Sequence, residues 1–141
     1  MSDLDYSADY IKGILTSVKT IALVGASDKQ DRASHRVMKF LLEHGYHVIP
    51  INPGKEGKDI LGQRVFGRLA DIEEPVDMVD IFRNSEAAGA VCDEAISIGA
   101  KVIWMQLGVI NEEAAARAEK AGLQVVMDRC PKIEYPCVMT I

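Results

Sequence analysis

The sequence contains little cysteine, and its cysteines follow no recognisable spacing. Only three are present in 141 residues, at Cys92, Cys130 and Cys137. An odd count in this arrangement argues against a disulfide framework, and the intervals are not those of zinc ligands. We therefore expect a reduced protein of the cytoplasm that holds no metal.

The chain also lacks a long apolar run and an excess of positive charge. No segment is long and apolar enough to span a bilayer, and residues 1–5 lack the apolar region of a secretion signal. The formal net charge is −5 at pH 7, which is unfavourable for binding nucleic acid. We expect neither a membrane nor a nucleic acid as partner, although a local cluster of donors can still hold a small anionic ligand.

Apolar segments typical of strands alternate with amphipathic segments typical of helices. The strands are expected at 20–24, 46–51, 76–82, 101–106 and 123–127, and the helices at 7–17, from 34 to 45, from 84 or 85 to 98, and from 111 to 122. Residues 55–67 are interpreted as a surface loop, and no element is predicted for the tail 128–141.

The predicted strands are apolar on both faces, as in a parallel sheet covered by helices on both sides. The pattern predicts one α/β domain over residues 1–141, with its core at about 11–134. We expect a three-layer α/β/α fold whose five-stranded parallel sheet has the order 3-2-1-4-5, with the first strand central. A ligand crevice should then lie beyond the carboxyl ends of the strands, at the switch between strands one and four.

The turn after the first strand is the most informative segment of the chain. Gly25 allows a sharp turn and close approach of a ligand, and the helix start that follows offers free N–H groups and a positive dipole end. Two serine hydroxyls and one guanidinium suit a diphosphate. We predict a phosphate-binding loop, with Asp28 and Asp31 directed outward; the alternative is that Gly25 only makes a tight turn. The candidate phosphate ligands are Gly25, Ala26, Ser27, Arg32 and Ser34.

The other predicted strands end in a mixture of amides, arginines, an aromatic ring and a thiol. The alternative role for Arg83 and Arg129 is an ion pair with acidic neighbours. The residues at these strand ends are Asn52 and Pro53, then Phe82 and Arg83, then Gln106, Leu107 and Gly108, and finally Asp128, Arg129 and Cys130.

The loop lacks most of the glycines of a dinucleotide fingerprint. Gly25 is present, but Ser27 and Gln30 occupy the other two positions of G-x-G-x-x-G. The second strand ends in Asn52 and Pro53, where an NAD site has an acidic residue for the ribose. Both departures weigh against NAD; NADP is less excluded, because an arginine can hold its additional phosphate.

Five segments of the chain form a linked pattern. They are Ile21–Ser27 with Arg32 and Ser34, Tyr46–Pro53, Val76–Arg83, Trp104–Val109 and Val126–Pro131. On these segments, and over about residues 11–134, the chain resembles the stand-alone CoA-binding proteins of the YccU type, which are related to the N-terminal domain of the succinyl-CoA synthetase α-subunit. The resemblance implies a Rossmann-like fold with coenzyme A as its ligand.

The resemblance also implies roles for individual positions. The first loop would hold the CoA phosphates, and Asn52 and Pro53 would flank the nucleotide. Phe82 and Arg83 would border the path of the adenine and the pantetheine. Gln106, Leu107 and Gly108 would line the same groove. The synthetase domain has Asn-Cys-Pro-Gly where this chain has Arg129 to Lys132, which leaves the role of Arg129 open.

The resemblance does not carry synthetase activity with it, because the phosphorylated histidine of the synthetase belongs to a second domain outside the matched region. We expect a protein that binds CoA or acyl-CoA without catalysis. The alternatives are an NADP-dependent oxidoreductase and thiol chemistry at Cys130, whose own alternative is a half-buried structural role. Asp80, a charge within a buried strand, is expected in a structural ion pair. A homodimer and a partner subunit both stay open.

Overall fold

A computed structural model describes residues 5–139 and shows an α/β architecture. The sequence interpretations of residues 1–4 and of the last two residues of the tail lie outside the described part. In chain order the elements are α1 (Ala8–Ser17), β1 (Thr20–Val24), α2 (Ala33–Glu43), β2 (His47–Ile51), β3 (Asp59–Ile60), β4 (Gln63–Arg64), β5 (Met78–Ile81), α3 (Ser85–Ser97), β6 (Val102–Met105), α4 (Glu112–Lys120), β7 (Gln124–Val126) and α5 (Pro131–Met139), with short 3-10 turns at Pro53–Lys55 and Leu69–Asp71.

The central sheet is parallel and five-stranded, as predicted, and its strands lie in the order β2-β1-β5-β6-β7. An apolar core lies on each face. One core is built by α1, α2 and α5, and the other by α3, α4 and the turn Leu69–Asp71. Alternate residues of each strand enter opposite cores, which explains why the strands are apolar throughout. No helix within residues 5–139 has both the length and the apolar character needed to cross a membrane.

The predicted strand order 3-2-1-4-5 is wrong. Numbered as the five strands of the main sheet, the observed order is 2-1-3-4-5, with β1 between β2 and β5. The connection over residues 52–77 contains no α-helix and packs Leu69 on the face of β1 opposite to α2. The rule of right-handed crossovers permits both orders, so it could not distinguish them. The switch in strand order therefore lies between β1 and β5, which are the first and third strands of the main sheet. It was predicted between the first and the fourth.

Helix boundaries follow local side-chain chemistry. The side chains of Ser7, Asn84 and Asn111 accept hydrogen bonds from the N–H three residues later and so begin α1, α3 and α4. Gly45, with φ of +91°, follows the end of α2. The helix starts predicted at 84 or 85 and at 111 are confirmed.

Helix α5 was not predicted. It begins at Pro131 and contains Pro136. Proline is unfavourable in the interior of a helix because it lacks an N–H and its ring clashes with the preceding turn. The formation of α5 is supported by tertiary contacts, because Val138 is buried in the core and the ring of Tyr135 lies edge-on against Phe40. The tail therefore covers α1 and α2.

The β7 edge of the sheet is closed by two tyrosines. The hydroxyl of Tyr10 donates to the carbonyl of Val125 (3.0 Å) and accepts from its N–H (3.1 Å). The hydroxyl of Tyr6 accepts from the N–H of Met127 at 2.9 Å, and the two rings stack with centroids 5.7 Å apart. Backbone groups that would otherwise pair with another strand are thus already bonded.

Asp80 is wholly buried in the middle of the sheet, and its partner is an amide. With the amide of Gln106 oriented to donate, its nitrogen lies 2.8 Å from Asp80 Oδ1 and 3.2 Å from Oδ2. The predicted ion pair is therefore wrong. Burial raises the pKa of the Asp80 carboxyl well above its usual range, so that the neutral form, which costs less to bury, is favoured.

We expect replacement of Asp80 by asparagine to remove a pH-dependent loss of stability. In the unfolded chain this carboxyl ionises near pH ~3.9, whereas in the folded chain it retains its proton to higher pH. The free energy of unfolding of the native chain should therefore fall relative to that of Asp80→Asn as pH rises above this point. The slope should approach about 1.4 kcal/mol per pH unit. Urea unfolding of both proteins, followed by circular dichroism across this range, measures the difference; a constant offset would contradict the assignment.

Candidate functional site

The carboxyl ends of β1, β2 and β5 open into a cavity of about 490 Å³, which we call the carboxyl-edge cavity. It lies next to the switch in strand order between β1 and β5, where sheets of this kind bind ligands. Its lining contains the predicted residues Gly25, Ala26, Ser27, Arg32, Ser34, Asn52 and Phe82, together with Asp28, Lys29, Ala33 and Lys55.

Gly25 is required by the neighbouring strand. Its φ is +91°, and a Cβ at this position would lie 2.3 Å from the carbonyl oxygen of Phe82. Its N–H and that of Ala26 both donate to the carbonyl of Ile51, at 3.0 and 3.2 Å. The structure thus provides a packing reason for this glycine, which was the alternative interpretation, and its role toward a ligand stays a prediction.

Asn52 joins the two loops that border the cavity. Its Nδ2 donates to the carbonyl of Ala26 at 2.8 Å, and its Oδ1 accepts from the N–H of Gly54 at 2.8 Å. The second bond begins the 3-10 turn that carries Lys55 back toward the loop after β1. Both ends of the amide are therefore engaged in shaping the cavity.

Positive groups gather at the cavity wall. Arg32 occupies the N-cap position of α2 without a capping bond from its side chain, and it forms no ion pair with any other residue that the structure describes. Ser34, in the first turn of α2, is buried, and within residues 5–139 its N–H and that of Ala33 have no hydrogen-bond acceptor. A cation and a helix start therefore face one space, a combination that favours an anion.

Lys29 and Lys55 line the cavity although neither is among the predicted site residues, and Asp28 lines it as well. The Nζ of Lys55 lies 3.3 Å from Oδ2 of Asp28, and both side chains line the cavity. The prediction that Asp28 points away is therefore wrong. The available signal was Asn52 followed by Pro53 and Gly54, which is a turn pattern that returns the next residue toward the first loop.

The remaining predicted residues lie outside this cavity. Pro53 and Arg83 line a separate cavity of about 220 Å³, together with Leu69. Leu107 is exposed, and the N–H of Gly108 donates to Oδ1 of Asp128 at 2.7 Å.

Gln106 and Cys130 belong to the interior. The amide of Gln106 serves Asp80, and Cys130 is 7% exposed within an apolar core. The guanidinium of Arg129 lies over the ring of Tyr6, 5.4 Å from its centroid, and its Nη1 donates to the carbonyl of Asp128. The half of the rim formed by β6 and β7 is therefore occupied by protein contacts.

Comparisons with known proteins agree on one family. A family model described as a CoA binding domain matches residues 19–136. The uncharacterized protein YneT of Bacillus subtilis is 41% identical over 125 residues, which covers 89% of this chain and 91% of YneT. The α-subunit of the ADP-forming acetate–CoA ligase I of Pyrococcus furiosus is 30% identical over 79% of this chain, and the match spans 27% of that subunit.

A solved structure is similar to this chain over nearly its whole length. A hypothetical protein from Pyrococcus horikoshii OT3 superposes with a TM-score of 0.90, at 38% identity and with 99% of both chains covered.

We expect Gly25→Ala to cost far more stability than Gly45→Ala, its matched control. Both glycines have φ of +91°, but a Cβ at Gly45 meets nothing within 4 Å. The left-handed conformation alone costs about 1–2 kcal/mol. Contact with the Phe82 carbonyl should add about 1–3 kcal/mol, since backbone cannot move aside as a side chain can. Urea unfolding of the two variants measures this difference, and equal losses would show that the strand junction is not tightly packed.

Proposed function

Because this chain belongs to the family of CoA-binding domains, we propose that it binds coenzyme A, free or acylated, in the carboxyl-edge cavity. The observation that carries the proposal is the cluster of Arg32, Lys55 and the start of α2 around one space at the strand switch. The proposal is for binding and assigns no catalytic step to the chain.

The diphosphate of CoA suits the charged wall of the cavity. Arg32 supplies a planar fork of donors that can bond two phosphate oxygens at once. Lys29 and Lys55 add ammonium groups, and the first N–H groups of α2 add backbone donors. These groups would hold phosphates without the additional glycines of a dinucleotide fingerprint.

Residues beside the charged wall could contact the adenine and the pantetheine arm of CoA. Phe82 is half-buried at the cavity and offers an aromatic face to the adenine. Arg83 and Pro53 border the neighbouring smaller cavity. Leu107 is 56% exposed at the end of β6, where the apolar groups of the pantetheine arm could cover it.

The same features favour CoA over the alternatives. The strand β2 is followed by Asn52, whose amide is already engaged, and the chain has no acidic residue there to bind the ribose of NAD. Thiol chemistry at Cys130 is not favoured, because the sulfur is buried in a core away from the cavity lining.

We expect Arg32→Gln to weaken CoA binding by about 1.5–3 kcal/mol, which is at least about tenfold, because it removes a charge-assisted bond to a phosphate. Lys39→Gln is the matched control, since Lys39 is exposed on the same helix and lies outside the cavity lining. Titration calorimetry with CoA, acetyl-CoA, NAD and NADP measures each affinity.

The proposed function would be wrong if the native protein bound NAD or NADP tightly and did not respond to CoA or acetyl-CoA. An unchanged CoA affinity in Arg32→Gln would remove this side chain from the site. Native mass spectrometry of the protein purified without added ligand provides an independent check, because a species of the mass of CoA or an acyl-CoA should accompany it.

A further inference from the structure

An acidic residue lies in the wall of the cavity that would receive an anion. Asp28 follows β1 and Lys55 follows β2, so their contact at 3.3 Å joins the two loops that border the carboxyl-edge cavity. The side chains are 46% and 34% exposed, respectively, so the contact is partly shielded from water. The hydrogen bond from Lys55 lowers the pKa of the Asp28 carboxyl, which is therefore charged at neutral pH.

The charge of Asp28 opposes the electrostatics of its surroundings. The other charged residues in the lining are Lys29, Arg32 and Lys55, all cations. A carboxylate among them repels a phosphate and also neutralises one of the cations that would attract it. A site shaped only for the tightest anion binding would have a neutral residue at this position.

We propose that Asp28 sets the affinity and selectivity of the site, because it holds Lys55 across the cavity until a ligand diphosphate takes the ammonium group from it. This inference rests on the proposed function in placing the diphosphate of CoA at this wall. A diphosphate carries more negative charge than a carboxylate, so the exchange favours it, whereas a singly charged ligand gains little by displacing Asp28. The Asp28–Lys55 pair thus discriminates among anions before any contact with the remainder of the ligand.

Two other roles for Asp28 make different predictions. In the first, Asp28 only repels the ligand, and Lys55 contacts Asp28 and the ligand at the same time. Removing the charge of Asp28 then tightens binding equally with and without Lys55. If Asp28 orients Lys55 toward the ligand, removing its charge weakens binding. If the ammonium group of Lys55 passes from Asp28 to the ligand, removing the charge of Asp28 increases the affinity more when Lys55 is present than when it is absent.

The test is a double-mutant cycle of the native protein, Asp28→Asn, Lys55→Gln and the double variant. Asp31→Asn is the matched control, since Asp31 lies in the same loop, is exposed and is not part of the lining. Titration calorimetry with inorganic pyrophosphate and with CoA gives the affinities. We expect Asp28→Asn to tighten pyrophosphate binding about fivefold when Lys55 is present, the scale of a partly exposed ion pair, and clearly less in the Lys55→Gln background. Asp31→Asn should change it by less than about twofold, as a rim charge screened by salt.

Weaker binding in Asp28→Asn, or equal tightening in both backgrounds, would overturn the exchange. Failure of all four proteins to bind pyrophosphate would overturn it together with the phosphate site. If CoA does not bind but the pyrophosphate cycle shows the expected coupling, the proposed function fails and the exchange stands. If CoA binds and Asp28→Asn has no effect on either ligand, the exchange fails and the proposed function stands.

Discussion

The site depends on the close approach of three backbone segments at the end of β1. The carbonyl of Phe82 occupies the space where any side chain at Gly25 would lie, and the N–H of Phe82 donates to the carbonyl of Val24 at 2.8 Å. On the other side, the carbonyl of Ile51 accepts from both Gly25 and Ala26. Because β1 is fixed between its two neighbours at this point, the loop toward α2 leaves the sheet in one direction, and the start of α2 faces the cavity.

Much of this arrangement could be predicted from the sequence, and the exceptions have physical causes. Strand β1 and the starts of α3 and α4 depend on local patterns and were predicted correctly. The strand order was not, because crossover handedness permits both orders and the informative feature was a missing helix in residues 52–77. Helix α5 contains Pro136, and its formation depends on long-range packing, which a local pattern does not report.

The limits of prediction from the sequence are clearer for the candidate site than for the fold. Position after a strand predicted the backbone location of Arg32 and Phe82, which both line the cavity. The same reasoning placed Gln106 and Cys130 at the rim, yet their side chains point into the core. Lys55 was interpreted as part of a surface loop, and its return to the cavity depends on the turn that Asn52 begins. Side-chain direction in loops follows such individual hydrogen bonds, which have no sequence period.

The two halves of the rim therefore have different physical roles. At β6 and β7, polar groups are paired within the protein: Gln106 with Asp80, Gly108 with Asp128, and the indole of Trp104 with the carbonyl of Arg129. At β1, β2 and β5, cations and helix N–H groups line an open cavity. Bonded groups have little to gain from a ligand, whereas Arg32, which forms no ion pair within the described residues, gains from an anion. Despite a net charge of −5, the chain thus places several cations in one cavity lining, next to the switch in strand order.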